Sequence, residues 1–368
     1  MTFGGVPEPP KPLAWRIGLQ AALLFGLAAI VFLGVRVAAH NLAQRHVVSG
    51  FDFLGRTAGF DIVQHLIPYD SHSTFGRAFV VGLLNTILIA AIGIELASGI
   101  GEMIAAGRLS GNWLLGKLAS GYVELFRNIP PLLQLLFWYF AVLRALPSPR
   151  DSFSLAGVVL LNNRGLYIPW PDATASDAAL VLGLLLLAAG LVAMWRRPVA
   201  GGVVAGAGLV CTALAVHWDV PHPGGFNIAG GMVVIPEFAA LALSLSLYHA
   251  AYVAEAIRAG VAGVGVGQVD AAQSLGLTAT KTFRLVILPQ ALRLVLPPLT
   301  TIWLNLIKGT AIAAAIAYPD VMSVFAGTVL NLIGQSVEIM TLVNASYIVL
   351  CLAVAFVLNR CNRALMRT

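Results

Sequence analysis

Long apolar runs separated by short polar stretches occupy most of this chain. A helix needs about 20 apolar residues to cross the hydrocarbon core of a membrane, so the pattern predicts an all-α polytopic membrane protein with about eight transmembrane helices. The runs lie at about residues 15–37, 78–106, 118–143, 178–195, 199–218, 232–256, 292–316 and 338–358.

One polar interruption between two of these runs is too helix-prone to be a slack linker. Residues 270–298 have the sequence DAAQSLGLTATKTFRLVILPQALRLVLPP. Apolar and polar positions recur there at helical spacing, which predicts short amphipathic helices with one face outside the membrane. Gly276 permits a sharp turn, Thr278 can cap the next helix, and Pro289 is expected to end that helix. The stretch therefore predicts a helix–turn–helix that contacts another protein.

Composition agrees with a membrane protein. Hydrophobic residues make up 59% of the chain and charged residues only 10%. Because a typical soluble domain has about 25% charged residues, lipid must be the solvent for most of this surface. The net charge of +6 is better explained by basic cytoplasmic loops than by nucleic-acid binding.

Basic residues recur at every second loop, as the positive-inside rule requires for a chain that begins inside. Both termini are therefore expected in the cytoplasm. The other loops also contain arginines, but two of them are long, and long translocated loops carry little weight in this rule. The basic residues of the expected inward segments are Lys11, Arg16, Arg108, Lys117, Arg196, Arg197, Arg258, Lys281, Arg284, Arg293, Arg360, Arg363 and Arg367.

Two of the expected outside loops are long. Residues 40–77 are rich in Gly, His, Asp and aromatic residues, and residues 147–177 contain NNRGLYIPWPD, where Pro and Gly exclude a long helix. Such loops either bind a partner or pack as lids over the spans, and the sequence leaves both alternatives open. The following pair of runs, residues 178–218, has almost no interior polar group and is expected to be peripheral.

No segment carries a convincing catalytic or cofactor-binding motif. Residues 111–118 nearly match the phosphate-binding pattern G-x-x-x-x-G-K-[ST], but Leu118 stands where a hydroxyl group should bind Mg²⁺. A short basic loop is the better interpretation, so we expect no ATPase activity in this chain. The three cysteines and seven histidines show no metal-ligand spacing. We expect neither an enzyme nor a bound metal or cofactor.

Ionisable residues inside the apolar runs need a physical reason, because hydrocarbon penalises charge. Glu95 lies near the middle of the second run, and Lys308 lies about two-thirds of the way through the seventh. Asn305 and Thr310 flank Lys308 and form a polar stripe at helical spacing. Such a stripe should face protein or water rather than lipid.

Arg127, in the third run, is the other candidate cation. Our hypothesis is that Arg127 and Lys308 help to line a substrate path and favour a carboxylate. The alternative is that they tie helices together, and for Arg127 a pair with Glu124, three residues earlier on the same helix, is a further structural alternative. The residues alone do not choose among these.

The polar interruption also resembles a known motif. Asp270-Ala271-Ala272, then Gly276, then the segment 286–289 (VILP), is similar to the EAA-x3-G-x9-I-x-LP loop of permease subunits in binding-protein-dependent ABC importers. Further segments resemble the polar amino-acid, histidine-permease-like branch of this permease family. They are YVAEAIRAGV, LNLIKGTAIAAAIAYPD, GLLNT and VELFRNIPPLLQLLFWY. The resemblance covers about residues 78–145 and 232–368. The first apolar run, residues 41–69 and the inserted central pair of runs resemble the larger permease type of general L-amino-acid importers.

This resemblance implies a type I, MetI-like permease core in the bacterial inner membrane. It implies an N-terminal part at 1–77, a transmembrane domain at 78–368 with an insert at about 146–231, and a cytoplasmic coupling loop at 255–291. The implied partners are a dimer of ATP-binding subunits that uses ATP and Mg²⁺, a second homologous permease, a periplasmic binding protein and L-amino acids. The implied ATPase-coupling residues are Asp270, Ala271, Ala272, Gly276, Leu288 and Pro289.

The chain departs from the family pattern at four positions. Asp270 replaces the usual Glu, Gly265 and Val266 replace a usual Pro and basic residue, and Gly309 replaces a usual Asn or Asp. These changes bear on the cytoplasmic contact and on substrate preference. The alternative function is a self-sufficient secondary transporter or channel that uses an ion gradient through Glu95 or Lys308, and it would work without an ATPase.

Overall fold

The computed structural model describes residues 13–44, 50–171, 178–194, 198–215, 218–224 and 227–367. Lys11, Arg196 and Arg197, three of the predicted inward basic residues, lie outside the described residues. Most of the described chain is helical. The α-helices are α1 Leu13–Gln44, α2 Phe75–Leu109, α3 Trp113–Asn128, α4 Pro131–Leu136, α5 Ala178–Met194, α6 Pro198–Ala215, α7 Pro236–Ala262, α8 Val266–Ser274, α9 Ala279–Thr282, α10 Leu288–Gly309, α11 Leu330–Ile333 and α12 Ser336–Arg367.

Four described helical segments are long and apolar enough to cross a membrane: Phe75–Leu109, Pro236–Ala262, Ala279–Ile316 and Ser336–Arg360. Shorter apolar helices accompany them, including those at Pro131–Leu143 and Met322–Ile333. A multi-pass helical protein is thus confirmed, and a total of about eight crossings is consistent with these long and short helices.

The centre of the bundle is the contact between α2 and α7, with α10 packed against α7. The two helices approach closely where α2 carries Gly101, since a Cβ added there would lie 2.6 Å from the side chain of Val253. Leu245 of α7 and Leu306 of α10 are fully buried in the same core. Trp303 of α10 donates its indole N–H to Ser98 Oγ of α2 at 3.1 Å. Small residues let these backbones approach, and larger apolar residues fill the remaining space.

We expect Gly101→Ala to destabilise the protein by about 1–3 kcal/mol, because the added methyl group overpacks the contact with Val253. Gly99 is the matched control, since a Cβ added to it on the same helix meets nothing within 4 Å. Thermal unfolding of the detergent-purified protein measures both variants. Equal midpoints for Gly101→Ala and Gly99→Ala would contradict the close α2–α7 contact.

The predicted third span is not one continuous helix. α3 ends at Asn128, Ile129 adopts extended backbone, and α4 begins at Pro131 and continues as a π-helix over Phe137–Leu143. The residue before a proline is disfavoured in the helical region, and the two successive prolines Pro130 and Pro131 favour a break here. The side-chain amide of Gln134 donates to the carbonyl oxygens of Phe126 and Ile129 at 3.0 and 2.9 Å, so backbone acceptors exposed by the break are satisfied.

The expectation that Pro289 ends a helix is wrong. The helix that begins at α9 passes through a π-helical segment at Phe283–Ile287 and continues as α10. Within it, the N–H of Leu288 donates to the carbonyl oxygen of Phe283, five residues earlier. This wider turn makes room for the ring of Pro289, which would clash with a regular helical turn.

Short antiparallel strands form where the sequence excluded a long helix. The largest sheet has the order β1-β2-β3-β8, and two further pairs are β4-β5 and β6-β7. α5 and α6 lie between β4 and β5 in the chain and pack chiefly against each other, as expected for a peripheral pair. The strands are β1 Phe153–Leu155, β2 Val159–Asn162, β3 Gly165–Ile168, β4 Trp170–Pro171, β5 Trp218–Asp219, β6 His222–Pro223, β7 Ile228–Ala229 and β8 Met232–Val234.

β8 leads directly into α7, and α8 follows the other end of α7. α7 has 27 residues, and at 1.5 Å per residue it is about 40 Å long. The sheet and α8 therefore lie at opposite ends of the bundle, which we name the sheet end and the loop end.

The described part of the first long loop is packed rather than open. It contains a 3₁₀ helix at Asp52–Gly55, and Phe53 and Ile62 are buried against the start of α2 and against α12. Gly50 donates its backbone N–H to a carboxylate oxygen of Glu338 at 3.1 Å. In an exposed turn, the Ser73 hydroxyl donates to Asp70 at 2.8 Å, and this hydrogen bond lowers the pKa of the Asp70 carboxyl. These residues therefore pack as a lid over the bundle, and a binding role for the loop stays a prediction.

Between α10 and α12 the chain folds back on itself at the sheet end. We name residues 310–335 the hairpin; it contains a 3₁₀ helix at Thr310–Ile316 and a π-helix at Met322–Val329. Asp320, fully buried, accepts hydrogen bonds from the Ser323 N–H at 2.7 Å and the Tyr347 hydroxyl at 3.0 Å. Its carboxylate therefore caps the π-helix and joins the hairpin to α12.

Candidate functional site

The loop end carries a compact turn between two helices. Gly276 has a backbone φ of +74°, a left-handed conformation that glycine adopts at low cost. Its N–H donates to the Gln273 carbonyl at 2.8 Å, and the N–H of Leu277 donates to that of Ala272 at 3.2 Å. The prediction that Gly276 divides two helices is confirmed. Thr278 does precede α9, but its side chain makes no capping hydrogen bond.

This turn presents apolar side chains that nothing within the described chain covers. We name Val266, Asp270, Ala271 and Leu275 the coupling surface. All four are exposed, with Leu275 at 82%. Ala272, only 4% exposed, packs inward. Val266 and Leu275 are both exposed apolar side chains on one polar loop, and grouped exposed apolar side chains are typical of a surface that contacts another protein.

The loop end is tied firmly to the bundle. Glu255 of α7 forms ion pairs with Arg108 of α2 and, at 2.6 Å, with Arg258 of α7. Leu288 and Pro289, both exposed, lie where the loop joins α10. A displacement of α8 would therefore act on α2, α7 and α10 together.

A second feature lies midway along the helices. We name it the mid-helix cavity; its volume is about 270 Å³, and its lining includes Tyr248, His249, Tyr252 and Asn305. The hydroxyls of Tyr248 and Tyr252 share a hydrogen bond of 3.0 Å. His249 Nδ1 lies 2.8 Å from the carbonyl oxygen of Leu245. This is a polar group of side chains in an apolar bundle, which is the usual composition of a small-molecule site.

Two of the five predicted path residues lie at this cavity. Asn305 lines it. Arg127 places its guanidinium carbon 4.9 Å from the ring centre of Tyr252, one of the lining residues. Within the described part of the chain, the Glu124–Arg127 ion pair is not formed, because no carboxylate oxygen lies within 4 Å of that guanidinium.

The other three path residues lie elsewhere. Lys308 lines a separate cavity of about 500 Å³ together with Tyr347 and Cys351. Thr310 is buried and donates its hydroxyl to the Ile307 carbonyl at 2.9 Å. Glu95 is exposed on the surface of α2. The structure thus places Arg127 against a residue that lines the same cavity as Asn305, whereas Glu95, Lys308 and Thr310 do not line that cavity.

Sequence reasoning missed Tyr248, His249 and Tyr252. A signal was present, since SLYHAAYVAEA sets three polar aromatic side chains close together, two of them four residues apart on one helix face. It also missed Asp320. The signal for this residue was its position, because it is an acidic residue directly after a proline at the end of an apolar run.

The sequence between residues 97 and 367 matches the family described as "Binding-protein-dependent transport system inner membrane component". The chain belongs to this family. It is accordingly a transport component rather than an enzyme, and a multi-pass protein of the inner membrane. The matched range contains the coupling surface, the mid-helix cavity and the sheet.

Similar proteins narrow this family to amino-acid ABC transporter permeases. The chain is 49% identical over 341 residues to "Putative amino-acid ABC transporter permease protein YhdX" of Escherichia coli (strain K12), covering 88% of this chain and 87% of that protein. It is 44% identical to "General L-amino acid transport system permease protein AapQ" of Rhizobium johnstonii (strain DSM 114642 / LMG 32736 / 3841), covering 88% and 85%. The recognised resemblance is thereby confirmed.

A solved structure supports the fold of this permease. "Crystal structure of an amino acid ABC transporter with histidines" superimposes with a TM-score of 0.51 at 23% sequence identity and covers 79% of this chain and 95% of that chain. At this identity the likeness concerns the fold alone. Together with the family match it confirms the MetI-like permease core.

Proposed function

We propose that this permease is the transmembrane subunit of an ATP-driven importer of L-amino acids and that separate ATPase subunits drive it through the coupling surface. The observation that carries the proposal is the exposed, rigidly held turn at Gly276, with Leu275 uncovered beside Asp270. A short helix with an exposed apolar residue fits a groove on a partner protein. The amino-acid permeases named above support the substrate class.

In the proposed mechanism, α8 moves with the ATPase subunits. ATP binding closes a dimer of these subunits, and α8, held in their grooves, transmits the movement. Because Glu255 links α7 to α2 through Arg108, both helices follow as a rigid body. Rigid-body movement of this kind exposes the mid-helix cavity to one side of the membrane and then to the other. ATP and Mg²⁺ are used by the partner.

The proposed arrangement places the loop end and both termini in the cytoplasm and the sheet end in the periplasm. The N-terminal part is 1–77, the transmembrane domain is 78–368 with its insert at about 146–231, and the coupling loop is 255–291. The remaining coupling residues, Ala272, Leu288 and Pro289, shape the loop from within and at its junction with α10. A second homologous permease and a periplasmic binding protein complete the proposed complex.

We propose that Arg127 and Asn305 form part of the substrate path and that Arg127 attracts the carboxylate of the amino acid. Tyr252 holds the guanidinium in place by a cation–π contact. Glu95, Lys308 and Thr310 stay candidates for the path in other conformations of the complex. Alternating access changes which helices meet, so separation in one conformation is compatible with this role.

We expect Arg127→Ala to raise the KM for uptake about 10-fold, because it removes a charge-assisted hydrogen bond worth about 1.5 kcal/mol. Arg127→Lys keeps the charge and is expected to retain part of the affinity. Lys117→Ala removes an exposed cation from the same helix and serves as the control. Uptake kinetics with an unchanged KM for Arg127→Ala would remove this residue from the path.

The decisive test is reconstitution of the purified complex in proteoliposomes with and without ATPase subunits, ATP and binding protein. The proposal expects uptake of labelled L-amino acid only when all three are present and no effect of an ionophore that collapses ion gradients. Uptake by the permease alone that disappears with the ionophore would establish an ion-gradient-driven carrier instead.

A further inference from the structure

A cavity at the sheet end lies where several distant parts of the chain meet. We name it the sheet-end cavity; its volume is about 440 Å³, within the roughly 300–1,000 Å³ of small-molecule pockets. The segment 60–63 of the first long loop, the turn between β2 and β3, and the segment 235–237 at the start of α7 form its walls together with the hairpin. Both long loops therefore contribute to one site.

The cavity wall carries two cationic and two anionic side chains: Arg144, Arg164, Asp61 and Glu237. The guanidinium of Arg144 lies 5.3 Å from the ring centre of Tyr139, and the hydroxyl of Tyr139 donates to Glu237 at 2.7 Å. Tyr139 thus contacts both Arg144 and Glu237, and these two side chains do not form an ion pair with each other. Across the described residues, neither arginine has a carboxylate oxygen within 4 Å, so both guanidinium groups have donors left for a ligand.

The position of Arg164 follows from the register of the sheet. β2 and β3 are adjacent antiparallel strands in which Asn162 pairs with Gly165, so Arg164 lies in the tight turn between them. β3 pairs with β8 through Leu166 and Val234, and β8 continues into the segment 235–237. Gly165 has a φ of +139°, and an added Cβ would lie 2.4 Å from the carbonyl oxygen of Val234. This close packing holds Arg164 near Glu237.

We propose that the sheet-end cavity binds a zwitterionic α-amino acid. The α-carboxylate accepts hydrogen bonds from Arg144 and Arg164, and the α-ammonium donates to Glu237 and Asp61. Guanidinium groups suit a carboxylate because their planar donors match its two oxygens. The cavity is large enough to hold the amino acid without enclosing it.

The charged side chains recognise the α-carboxylate and the α-ammonium, which all of these amino acids share. The remaining wall includes apolar side chains, among them Phe60, Ile62 and Val324, which accept varied substrate side chains without selecting one by hydrogen bonding. The site therefore has the chemistry of a broad amino-acid entry site. This inference rests on the proposed function, because it places the site ahead of the mid-helix cavity on the same path.

The test is equilibrium binding of ¹⁴C-labelled L-alanine to the purified permease–ATPase complex without binding protein. We expect Arg164→Gln and Arg144→Gln each to weaken this binding at least about 10-fold, as loss of a charge-assisted hydrogen bond predicts. Alaninamide, which lacks the carboxylate, and N-acetylalanine, which lacks the ammonium, should compete poorly. Arg150→Gln, at an exposed arginine of the same insert, is the matched control.

Two results would overturn the proposal. L-alanine binding by Arg164→Gln that equals binding by Arg150→Gln would exclude an amino-acid site. Unchanged binding with loss of ATPase stimulation by the binding protein would make the cavity a docking site for that protein. Failure of the proposed function has a different signature, since uptake by the unaltered complex would then not require ATP.

Discussion

Gly276→Asp is expected to abolish ATP-dependent uptake while the permease still inserts and folds. Aspartate tolerates the left-handed conformation of residue 276, so backbone strain accounts for only about 1 kcal/mol. The larger effect is a carboxylate placed in the proposed contact with the ATPase, where a buried unpaired charge costs about 2–5 kcal/mol. We expect the tagged variant to purify from membranes without ATPase subunits and to lose transport more than about 10-fold.

Two control variants separate strain from charge. Gly276→Asn has the same shape as the aspartate variant but no charge, and it should keep most of the ATPase contact. Gly111→Asp adds the same charge to another exposed glycine at the loop end, where an added Cβ meets nothing within 4 Å, and it should leave transport unchanged. Recovery of ATPase with Gly276→Asp at the level of the unaltered protein would refute a docking role for this turn.

Asp320→Ala is expected to lower the stability of the permease by about 2–4 kcal/mol. The substitution removes the cap of the π-helix at Ser323 and leaves the buried hydroxyl of Tyr347 without its carboxylate acceptor. The hairpin should then separate from α12 before the bundle unfolds. Thermal unfolding of the detergent-purified protein should show a midpoint several degrees lower.

Asp320→Asn is the matched variant. Its side-chain oxygen can still accept from the Ser323 N–H, and the Tyr347 hydroxyl can turn its proton toward Thr310, whose Oγ1 lies 3.3 Å away. We therefore expect most of the stability to return. An Asp320→Ala protein that melts with the unaltered protein would show that the network does not hold the hairpin.

The sequence was most informative where the signal is local. Gly276 was recognisable because few residues adopt positive φ, and the helices around it followed from their apolar spacing. Proline was a less certain guide: Pro130 and Pro131 break the third span, whereas Pro289 does not end its helix. The difference lies in the π-helical turn before Pro289, which depends on the surrounding packing.

The candidate site was only partly predictable. Charged residues in apolar runs are recognisable one by one, but their spacing along the chain does not show which of them share a cavity. Arg127 contacts Tyr252 of another helix, and Tyr252 lines one cavity with Asn305 of a third helix. Lys308, three residues after Asn305, lies on the same side of the helix but lines a different cavity, because the elements packed around α10 divide the space beside it.

By itself, the sequence determined that this protein is a helical membrane permease with a turn between two short helices at Gly276. Apolar run length, charge placement and turn chemistry act over a few residues, and they do not depend on the rest of the fold. Only the tertiary structure decided that Arg144, Arg164 and Glu237 share one cavity and that Asp320 joins the hairpin to α12. Those contacts join residues that are distant in sequence, and the packing of helices and the register of a short sheet set their geometry.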